Sequence, residues 1–403
     1  MYNYNIKYNK SGSKNMKKIV FTHSINSIVS KFTSLFLAIY FLKITGGNFI
    51  SVVLYYTLKY SLNWIFSFLS LKLLNKNNVL NVYRIGLLSN GLCLLVLLFL
   101  GSNVKNYIYL FAVLDCATSL LYWSAYKMIL YNFKNDDQFK KIFSYNSVVT
   151  SIISIISTIG MGYVIVNTSY AILLTIIISL VFIAVISTFY LDEYTFDINP
   201  IKLSNIKYAL KDEQAKEIYK IVFFEGMGFR GGLDTTITFI IFLTLGSESS
   251  LGNLNAVFAL LGLITSLLVK KYLKEKGNKN AFLISALAIL IVTIPIIFTN
   301  SFTVFIIYNI VFNIAYKITQ ILVDTAVFNI SSNKTLTKYQ LEYTFLGEAI
   351  HGFGKAFSEL ILLIPVVYAF NLNNLRIVAA ILSFSILLQM LVYNKYCKKK
   401  FIN

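Results

Sequence analysis

Charged residues are scarce in this sequence. Only 13% of its 403 residues are Asp, Glu, Lys or Arg, whereas 57% are hydrophobic and 16% are aromatic. A soluble domain rarely has so little charge, and many long apolar runs are typical of a chain that crosses a membrane several times. The composition therefore predicts an all-α polytopic membrane protein.

Several short motifs of catalysis and metal binding are also missing. The chain has no GxxxxGK[ST] phosphate-binding loop and no HExxH pair, so an ATP-driven pump would need a separate subunit and a membrane metalloprotease is not expected. The three cysteines, Cys93, Cys116 and Cys397, form no CxxC pattern, and we interpret them as apolar filler. We expect no enzymatic activity, no metal site and no cofactor.

Twelve stretches have the roughly 20 mostly apolar residues that a spanning helix needs. They are residues 19–42, 48–72, 84–101, 106–129, 142–166, 169–190, 217–245, 250–272, 280–299, 301–329, 341–369 and 374–395. These spans predict two pseudo-symmetric six-helix bundles with three polar segments outside them. The predicted divisions are an N-tail (1–18), an N-terminal bundle (19–190), a central loop (191–216), a C-terminal bundle (217–395) and a C-tail (396–403).

Positive charge is distributed unevenly about these spans. With the N-terminus inside, 28 of the 36 Lys and Arg residues fall in inside segments, 3 in outside loops and 5 within spans. Cytoplasmic segments carry such an excess of Lys and Arg. We therefore expect a multi-pass protein of the cell membrane with both termini and the central loop in the cytoplasm. The net charge of +19 is then explained by the orientation of the chain in the membrane, and no nucleic-acid partner is expected.

The two halves of the chain resemble each other. "KIVFTHSINSIVSKF" (18–32) aligns with "KIVFFEGMGFRGGLD" (220–234), "GNFISVV" (47–53) with "GNLNAVF" (252–258), and "YNF" (131–133) with "FNI" (328–330). The offsets are nearly constant and the order is the same, which indicates duplication of a six-helix unit.

The predicted arrangement of the chain resembles that of the major facilitator superfamily. It has six plus six spans, a charged central loop and both ends inside. At the place of that family's signature between spans two and three, the chain has "LKLLNKNNVLNVYRIG" (71–86), with Asn75 at the acidic position and Lys76 at the basic one. The equivalent loop of the second half (270–280) keeps Gly277. The resemblance implies two bundles that rock about a central cavity lined by spans 1, 4, 7 and 10. It also implies contacts of span 2 with span 11 and of span 5 with span 8.

Ionisable and polar side chains inside the spans are the candidate functional residues, because a charge in a span normally faces a cavity or a partner. Span 1 carries a polar stripe that includes Asn26 and Ser30, typical of a cavity wall. Lys31 lies near the middle of span 1, and Asp115 lies at similar depth in span 4. We predict a Lys31–Asp115 ion pair. Aromatic residues of span 4, Trp123 among them, are candidates for cavity lining or simple packing.

Span 7 begins with the glycine-rich segment "EGMGFRGGLD" (225–234). Glycine-interrupted spans indicate a binding site or a moving gate, and close helix packing is the alternative. Arg230 and Asp234 are four residues apart and could pair within the helix. An Asp234–Lys317 pair between spans 7 and 10 would repeat the pair predicted in the first half.

Four titratable groups, His23, Glu225, Asp324 and Glu348, lie at similar depth on the inner side. We predict that they converge on one inner vestibule and exchange protons there. His351, one turn after Glu348, joins them, because histidine changes charge near neutral pH. The alternative is that His23 and Glu225 lie in wet interface.

Span 11 carries its ionisable residues as one stripe, at positions 348, 351, 355 and 359. Lys355 and Glu359 are spaced as an i,i+4 pair. Lys59 in span 2 has no partner in its own helix and lies at the depth of Glu359. We predict a Lys59–Glu359 contact that acts as a gate between the two halves.

These features favour a secondary active transporter that moves a small organic solute by alternating access. Its expected partners are the solute, protons and the lipid bilayer, with Na⁺ as the other possible coupling ion, and a monomer is expected. A lipid or glycolipid flippase of the same fold is one alternative. A membrane sensor or immunity protein that transports nothing is the other, and its charged residues would pair statically.

Overall fold

The computed structural model describes residues 3–131, 136–191, 198–272, 278–299, 301–331, 339–368 and 370–400. Part of the predicted central loop (192–197) and Gly277 lie outside these residues. Within them, regular structure is helical throughout. The helices are α1 (Asn3–Lys31), α2 (Leu37–Ile44), α3 (Phe49–Ser61), α4 (Asn63–Lys72), α5 (Val79–Leu100), α6 (Ile108–Tyr131), α7 (Asp136–Asn167), α8 (Tyr170–Thr188), α9 (Ile206–Lys211), α10 (Glu213–Phe229), α11 (Gly232–Leu245), α12 (Glu248–Tyr272), α13 (Asn278–Phe298), α14 (Phe302–Ser331), α15 (Gln340–Tyr368), α16 (Leu372–Ser383) and α17 (Ser385–Lys400).

Ten helical segments of the described residues are long and apolar enough to cross a membrane. They are Lys17–Ile44, Val79–Asn106, Ile108–Tyr131, Val148–Asn167, Tyr170–Thr188, Glu248–Leu268, Lys279–Phe298, Phe302–Val327, Gln340–Tyr368 and Leu372–Cys397. The protein is therefore a multi-span membrane protein, and the count of twelve stays a prediction.

The two predicted spans that are absent from these ten are each divided between two helices. The predicted span 48–72 divides into α3 and α4 at Leu62, and the predicted span 217–245 divides into α10 and α11 at Arg230 and Gly231. Each piece is shorter than the roughly 20 residues of an uninterrupted span. Both interruptions matter for the site described below.

The two most extensive sets of helix contacts between the N-terminal half (α1–α8) and the C-terminal half (α10–α17) involve four spans. Helices α3 and α4 pack on α15, and α7 packs on α12, which are the contacts that the family resemblance implies. Glycine permits the second contact, because a Cβ at Gly162 in α7 would lie 2.6 Å from the carbonyl oxygen of Glu248 in α12.

Aromatic packing joins the two halves at one end of the molecule. We call the end that holds residues 45–48 the outer end, and the end that holds residues 198–212 the inner end, after the orientation predicted from charge. At the outer end, the ring of Phe49 lies 5.0 Å from that of Phe239 and 3.8 Å from that of Phe370. An ion pair of 2.5 Å between Lys43 and Glu248 also joins the halves there.

Candidate transport site

A cavity of about 80 Å³ lies between the two halves toward the inner end. It is lined by residues of α6, α10, α14 and α15 together with Arg230. Its ionisable lining residues, apart from tyrosines, are Lys127, Glu225, Arg230, Asp324, Glu348 and His351. We call this space the inner cavity. It brings together four of the five residues that the sequence suggested for proton exchange.

Arg230 holds two of the carboxyl groups of the inner cavity. Its guanidinium lies 3.2 Å from the Glu225 carboxylate and 3.9 Å from that of Asp324, and its Nε donates a hydrogen bond of 2.9 Å to the Tyr316 hydroxyl. The predicted Arg230–Asp234 pair is absent from the ion pairs of the described residues. The reason is that α10 ends at Phe229, so the i,i+4 spacing of a continuous helix does not apply across the break.

An ion pair between Lys127 in α6 and Glu348 in α15 joins the two halves at the inner cavity. Sequence reasoning missed Lys127, because its position near the end of a span placed it among the charges that orient the chain. The available signal was that Lys127 is the one Lys or Arg within the predicted span 106–129. Its pairing with Glu348 could be found only from the relative position of the halves.

His23 lies outside the inner cavity, contrary to the prediction that it joins Glu225, Asp324 and Glu348. Its ring stacks on Tyr126 at 4.0 Å and its Nδ1 is 2.7 Å from the Tyr122 hydroxyl. Only 6% of the residue is exposed. The aromatic side chains of α6 enclose the imidazole, so His23 belongs to the packing between α1 and α6.

Asp115 pairs with Lys59, which corrects two predictions at once. The Lys59 Nζ lies 2.5 Å from Asp115 Oδ2. The Tyr55 hydroxyl donates to the same oxygen, and Ser119 Oγ donates to Oδ1 at 3.2 Å. The predicted Lys31–Asp115 and Lys59–Glu359 pairs are therefore wrong, because α3 turns Lys59 toward α6 within its own half.

Lys31 belongs to the N-terminal half and Asp234 to the C-terminal half. The two opposite charges attract each other across the halves. The predicted Asp234–Lys317 pair is not among the ion pairs between described residues. Lys317 instead donates a 3.3 Å hydrogen bond to Gln320 within α14. Mid-span cations thus have partners other than those that equal depth suggested.

The far end of the charged stripe on α15 is buried between the halves. Glu359 is fully buried, and its Oε1 accepts a 2.7 Å hydrogen bond from Thr235 Oγ1 of α11. The ammonium of Lys355 lies 5.0 Å from the centre of the Tyr60 ring. The predicted Lys355–Glu359 ion pair is absent from the ion pairs between described residues.

The polar stripe of span 1 borders a second, smaller cavity of about 20 Å³ inside the N-terminal half. Asn26, Ser30, Asp115 and Trp123 line it. Asn26 Oδ1 accepts a 3.0 Å hydrogen bond from Asn90. This volume suits about one water molecule, so these residues line a small polar void between α1, α5 and α6.

Three interruptions of helical geometry accompany the buried charges. A π-helix (Phe32–Phe36) directly follows Lys31 in span 1, α3 ends near Lys59, and α10 ends beside Arg230. Such irregularities are frequent at functional sites, and broken spans mark the binding sites of transporters. Irregular backbone and ionisable side chains therefore coincide in spans 1, 2 and 7.

The glycines at the break between α10 and α11 also permit close helix packing. A Cβ at Gly226 would lie 2.5 Å from the His351 carbonyl oxygen, and one at Gly232 would lie 2.6 Å from the Ser358 carbonyl carbon. The glycine-rich segment therefore both interrupts the span and seats it against the backbone of α15. A binding site or gate at this segment and close helix packing, the two interpretations of its glycines, are therefore compatible.

Comparison with known proteins identifies the family. Residues 19–340 match the family model described as Major Facilitator Superfamily. The chain is 21% identical over 334 residues to "Uncharacterized protein YqgE" of Bacillus subtilis (strain 168), which covers 80% of this chain and 76% of that protein.

Solved structures show the same fold. A bacterial homologue of the iron transporter ferroportin in an outward-facing state has a TM-score of 0.69 at 11% identity, covering 96% of this chain and 99% of that one. A structure of a bacterial ferroportin homologue in an outward-facing state with soaked iron has a TM-score of 0.66 at 10% identity. It also covers 96% of this chain and 99% of that one. At such identities the likeness concerns the fold alone. Because the family model matches most of the chain, this protein belongs to the major facilitator superfamily.

Proposed function

We propose that this membrane transporter is a proton-coupled secondary transporter that moves a small organic solute by alternating access. Family membership supports transport. The observation that carries the proton coupling is the inner cavity, to which the two halves contribute three carboxyl groups, one imidazole and two cations.

The ion pair between Lys127 and Glu348 supplies a mechanism for opening the inner end. Each residue comes from a different half, so the pair holds the halves together beside the cavity. Addition of a proton to the Glu348 carboxylate would remove its negative charge and release Lys127. Separation of α6 from α15 would then admit solute from the inner side while the aromatic packing around Phe49 keeps the outer end closed.

The other two carboxyl groups have a different part in this proposal. Glu225 and Asp324 share Arg230, so each carboxylate has a cation even when the other is protonated. Arg230 lies at the break between α10 and α11, and any change in its partners acts on the geometry of that break. We propose that solute binding and proton binding meet at this residue.

The volume of the inner cavity limits what it holds in this state. A water molecule takes about 30 Å³ of liquid volume, so the inner cavity, at about 80 Å³, has room for a few water molecules. Iron is named in the description of the ferroportin homologue and is said of that protein alone, because at 11% identity the likeness concerns the fold.

We also propose that both chain ends and the central loop lie in the cytoplasm, because most Lys and Arg residues fall in those segments and in the other inside loops. Leu203 is 62% exposed at the inner end and offers a position for labelling. A Leu203→Cys protein should not react with an impermeant thiol reagent in intact cells and should react after permeabilisation. Reaction in intact cells would reverse the orientation.

Uptake into proteoliposomes tests the function directly. A panel of small organic solutes is offered with and without a pH gradient, and the gradient should drive accumulation of at least one of them. Glu348→Gln should abolish gradient-driven uptake and leave exchange at equal solute concentrations, because exchange needs no net proton movement. Glu213→Gln is the matched control, since the Glu213 side chain is 64% exposed at the inner end of α10.

Each other outcome points elsewhere. Loss of both uptake and exchange in a folded Glu348→Gln protein would assign Glu348 to solute binding or to structure. Unchanged driven uptake would remove Glu348 from the mechanism. Movement of labelled lipid between leaflets without solute uptake would favour the flippase, and absence of any transport would favour the sensor or immunity protein.

A further inference from the structure

Glu359 is the one acidic residue of the α15 stripe that lies beyond the inner cavity, and its environment is unusual for a carboxylate. The residue is 0% exposed, Oε1 accepts one hydrogen bond from Thr235, and buried Oε2 has no hydrogen-bond partner within the described structure. An ionised carboxyl group in apolar surroundings requires a cation or several donors, whereas a neutral one does not.

Among the residues that the structure describes, no group forms an ion pair with Glu359. The titratable groups that face it are Lys355 on its own helix, Asp234 on α11, and Tyr56 and Tyr60 on α3. Lys355 directs its ammonium over the Tyr60 ring. Two other cations within the spans already have partners, since Lys59 pairs with Asp115 and Arg230 with Glu225.

The position of Glu359 joins both halves at the middle of the membrane. Thr235 belongs to α11 of the C-terminal half, while Tyr56 belongs to α3 of the N-terminal half and donates a 3.0 Å hydrogen bond to the Thr33 carbonyl oxygen in the π-helix of span 1. Elements of spans 1, 2, 7 and 11 therefore meet around this one carboxyl group. Spans 1, 2 and 7 are the ones in which irregular backbone accompanies buried charges.

The stripe on α15 connects Glu359 to the inner cavity. Glu348 and His351 line that cavity, and Lys355 follows one turn later. Eleven residues separate Glu348 from Glu359, which corresponds to about 16 Å along a helix. That length is about half of the hydrocarbon thickness of a bilayer, so the stripe leads from the inner cavity to the centre of the protein.

We propose that Glu359 is a proton-binding site, which carries a proton on Oε2 while the outer end is closed and exchanges it with inner water along the α15 stripe. On protonation, a hydronium ion gives its proton to the carboxylate, an O–H bond forms, and water is left. On deprotonation the reverse occurs. Its part in transport rests on the proposed proton coupling, whereas its protonation in this state does not.

Proton release at Glu359 would act on the break between α10 and α11. The carboxyl group holds Thr235 near the start of α11, and the neighbouring Ser358 Oγ accepts a 2.7 Å hydrogen bond from the Gly232 N–H. A carboxylate formed there would attract the ammonium of Lys355 away from Tyr60. The contact of α3 with α15, and with it the closed outer end, would loosen.

Infrared spectroscopy of the reconstituted protein tests this assignment without any solute. The difference is taken between the spectra of the wild type and of each variant. A protonated carboxyl group has a carbonyl stretching band that a carboxylate lacks. We expect this band in the wild type, its loss by one carboxyl group in Glu359→Gln, and its retention in Glu342→Gln. Glu342 is the matched control, because it is equally buried but accepts hydrogen bonds from the Lys202 N–H and from Asn205.

A second variant keeps the test decisive if Glu359→Gln does not fold. Thr235→Val removes the donor to Oε1, so the carbonyl band of Glu359 should move to higher frequency. A band of undiminished intensity in Glu359→Gln, a wild type without the band, or an unshifted band in Thr235→Val would each overturn the proposal. A band that behaves as expected together with uptake indifferent to the pH gradient would support the site and refute the proton coupling instead.

Discussion

The Lys59–Asp115 ion pair gives the sharpest test of how the buried charges are paired. Lys59→Met removes the cation and leaves a carboxylate that is 7% exposed. Removal of one partner from a buried pair costs about 3–5 kcal/mol. The hydroxyls of Tyr55 and Ser119 still donate to Asp115, so we expect the lower end, about 3 kcal/mol.

The double variant should be more stable than this single variant. Asp115→Asn in the Lys59→Met background removes the unpaired charge, and replacement of a whole buried pair by neutral groups is often nearly neutral. We expect a coupling energy of about 2 kcal/mol or more between the two positions, measured as free energies of unfolding by SDS titration in mixed micelles.

Lys31 supplies the control for this cycle, because the sequence alone suggested Lys31 as the partner of Asp115. In the structure its electrostatic neighbour is Asp234. Lys31→Met and Asp115→Asn should therefore be additive to within about 0.5 kcal/mol, as independent sites are. Coupling of Lys31 to Asp115 that equals or exceeds the coupling of Lys59 would refute the arrangement.

Three further changes should give measurable results. Glu348→Gln removes the ion pair to Lys127 across the halves, and cysteine labelling of the inner cavity should become faster, whereas an unchanged rate would mean that the pair does not hold the inner end closed. Gly226→Val puts a side chain against the backbone of α15, and overpacking of this kind costs about 1–3 kcal/mol, visible as a lower Tm; a wild-type Tm would contradict the close approach. Glu248→Gln removes the ion pair to Lys43, and spin-label distances between the two outer loops should gain a longer component, whose absence would assign outer closure to the aromatic packing alone.

Much of the fold was predictable because it follows from local sequence properties. Ten of the twelve predicted spans correspond to long apolar helices, since hydrophobic runs of bilayer length determine them. The glycine-rich segment around Gly231 indicated where a span would be interrupted. The approximate depths of Glu225, Asp324 and Glu348 also followed from counting residues, and these three groups do meet in one cavity.

The partners of the charged residues could be decided only by tertiary structure. Depth alone paired Lys59 with Glu359 and Lys31 with Asp115, but depth leaves the rotation of each helix about its axis undetermined. That rotation directs Lys59 to Asp115 within one half and Lys127 to Glu348 across the halves.

The sequence by itself therefore determined the membrane class, most of the spans and which residues carry charge inside them. The tertiary structure decided which of those charges are compensated. His23 is enclosed by aromatic rings, while Glu359 is fully buried and forms no ion pair among the described residues. The physical reason is that hydrophobicity acts through local composition, whereas ion pairing requires two side chains from distant segments to approach within about 4 Å, which only the packing of helices against one another can arrange.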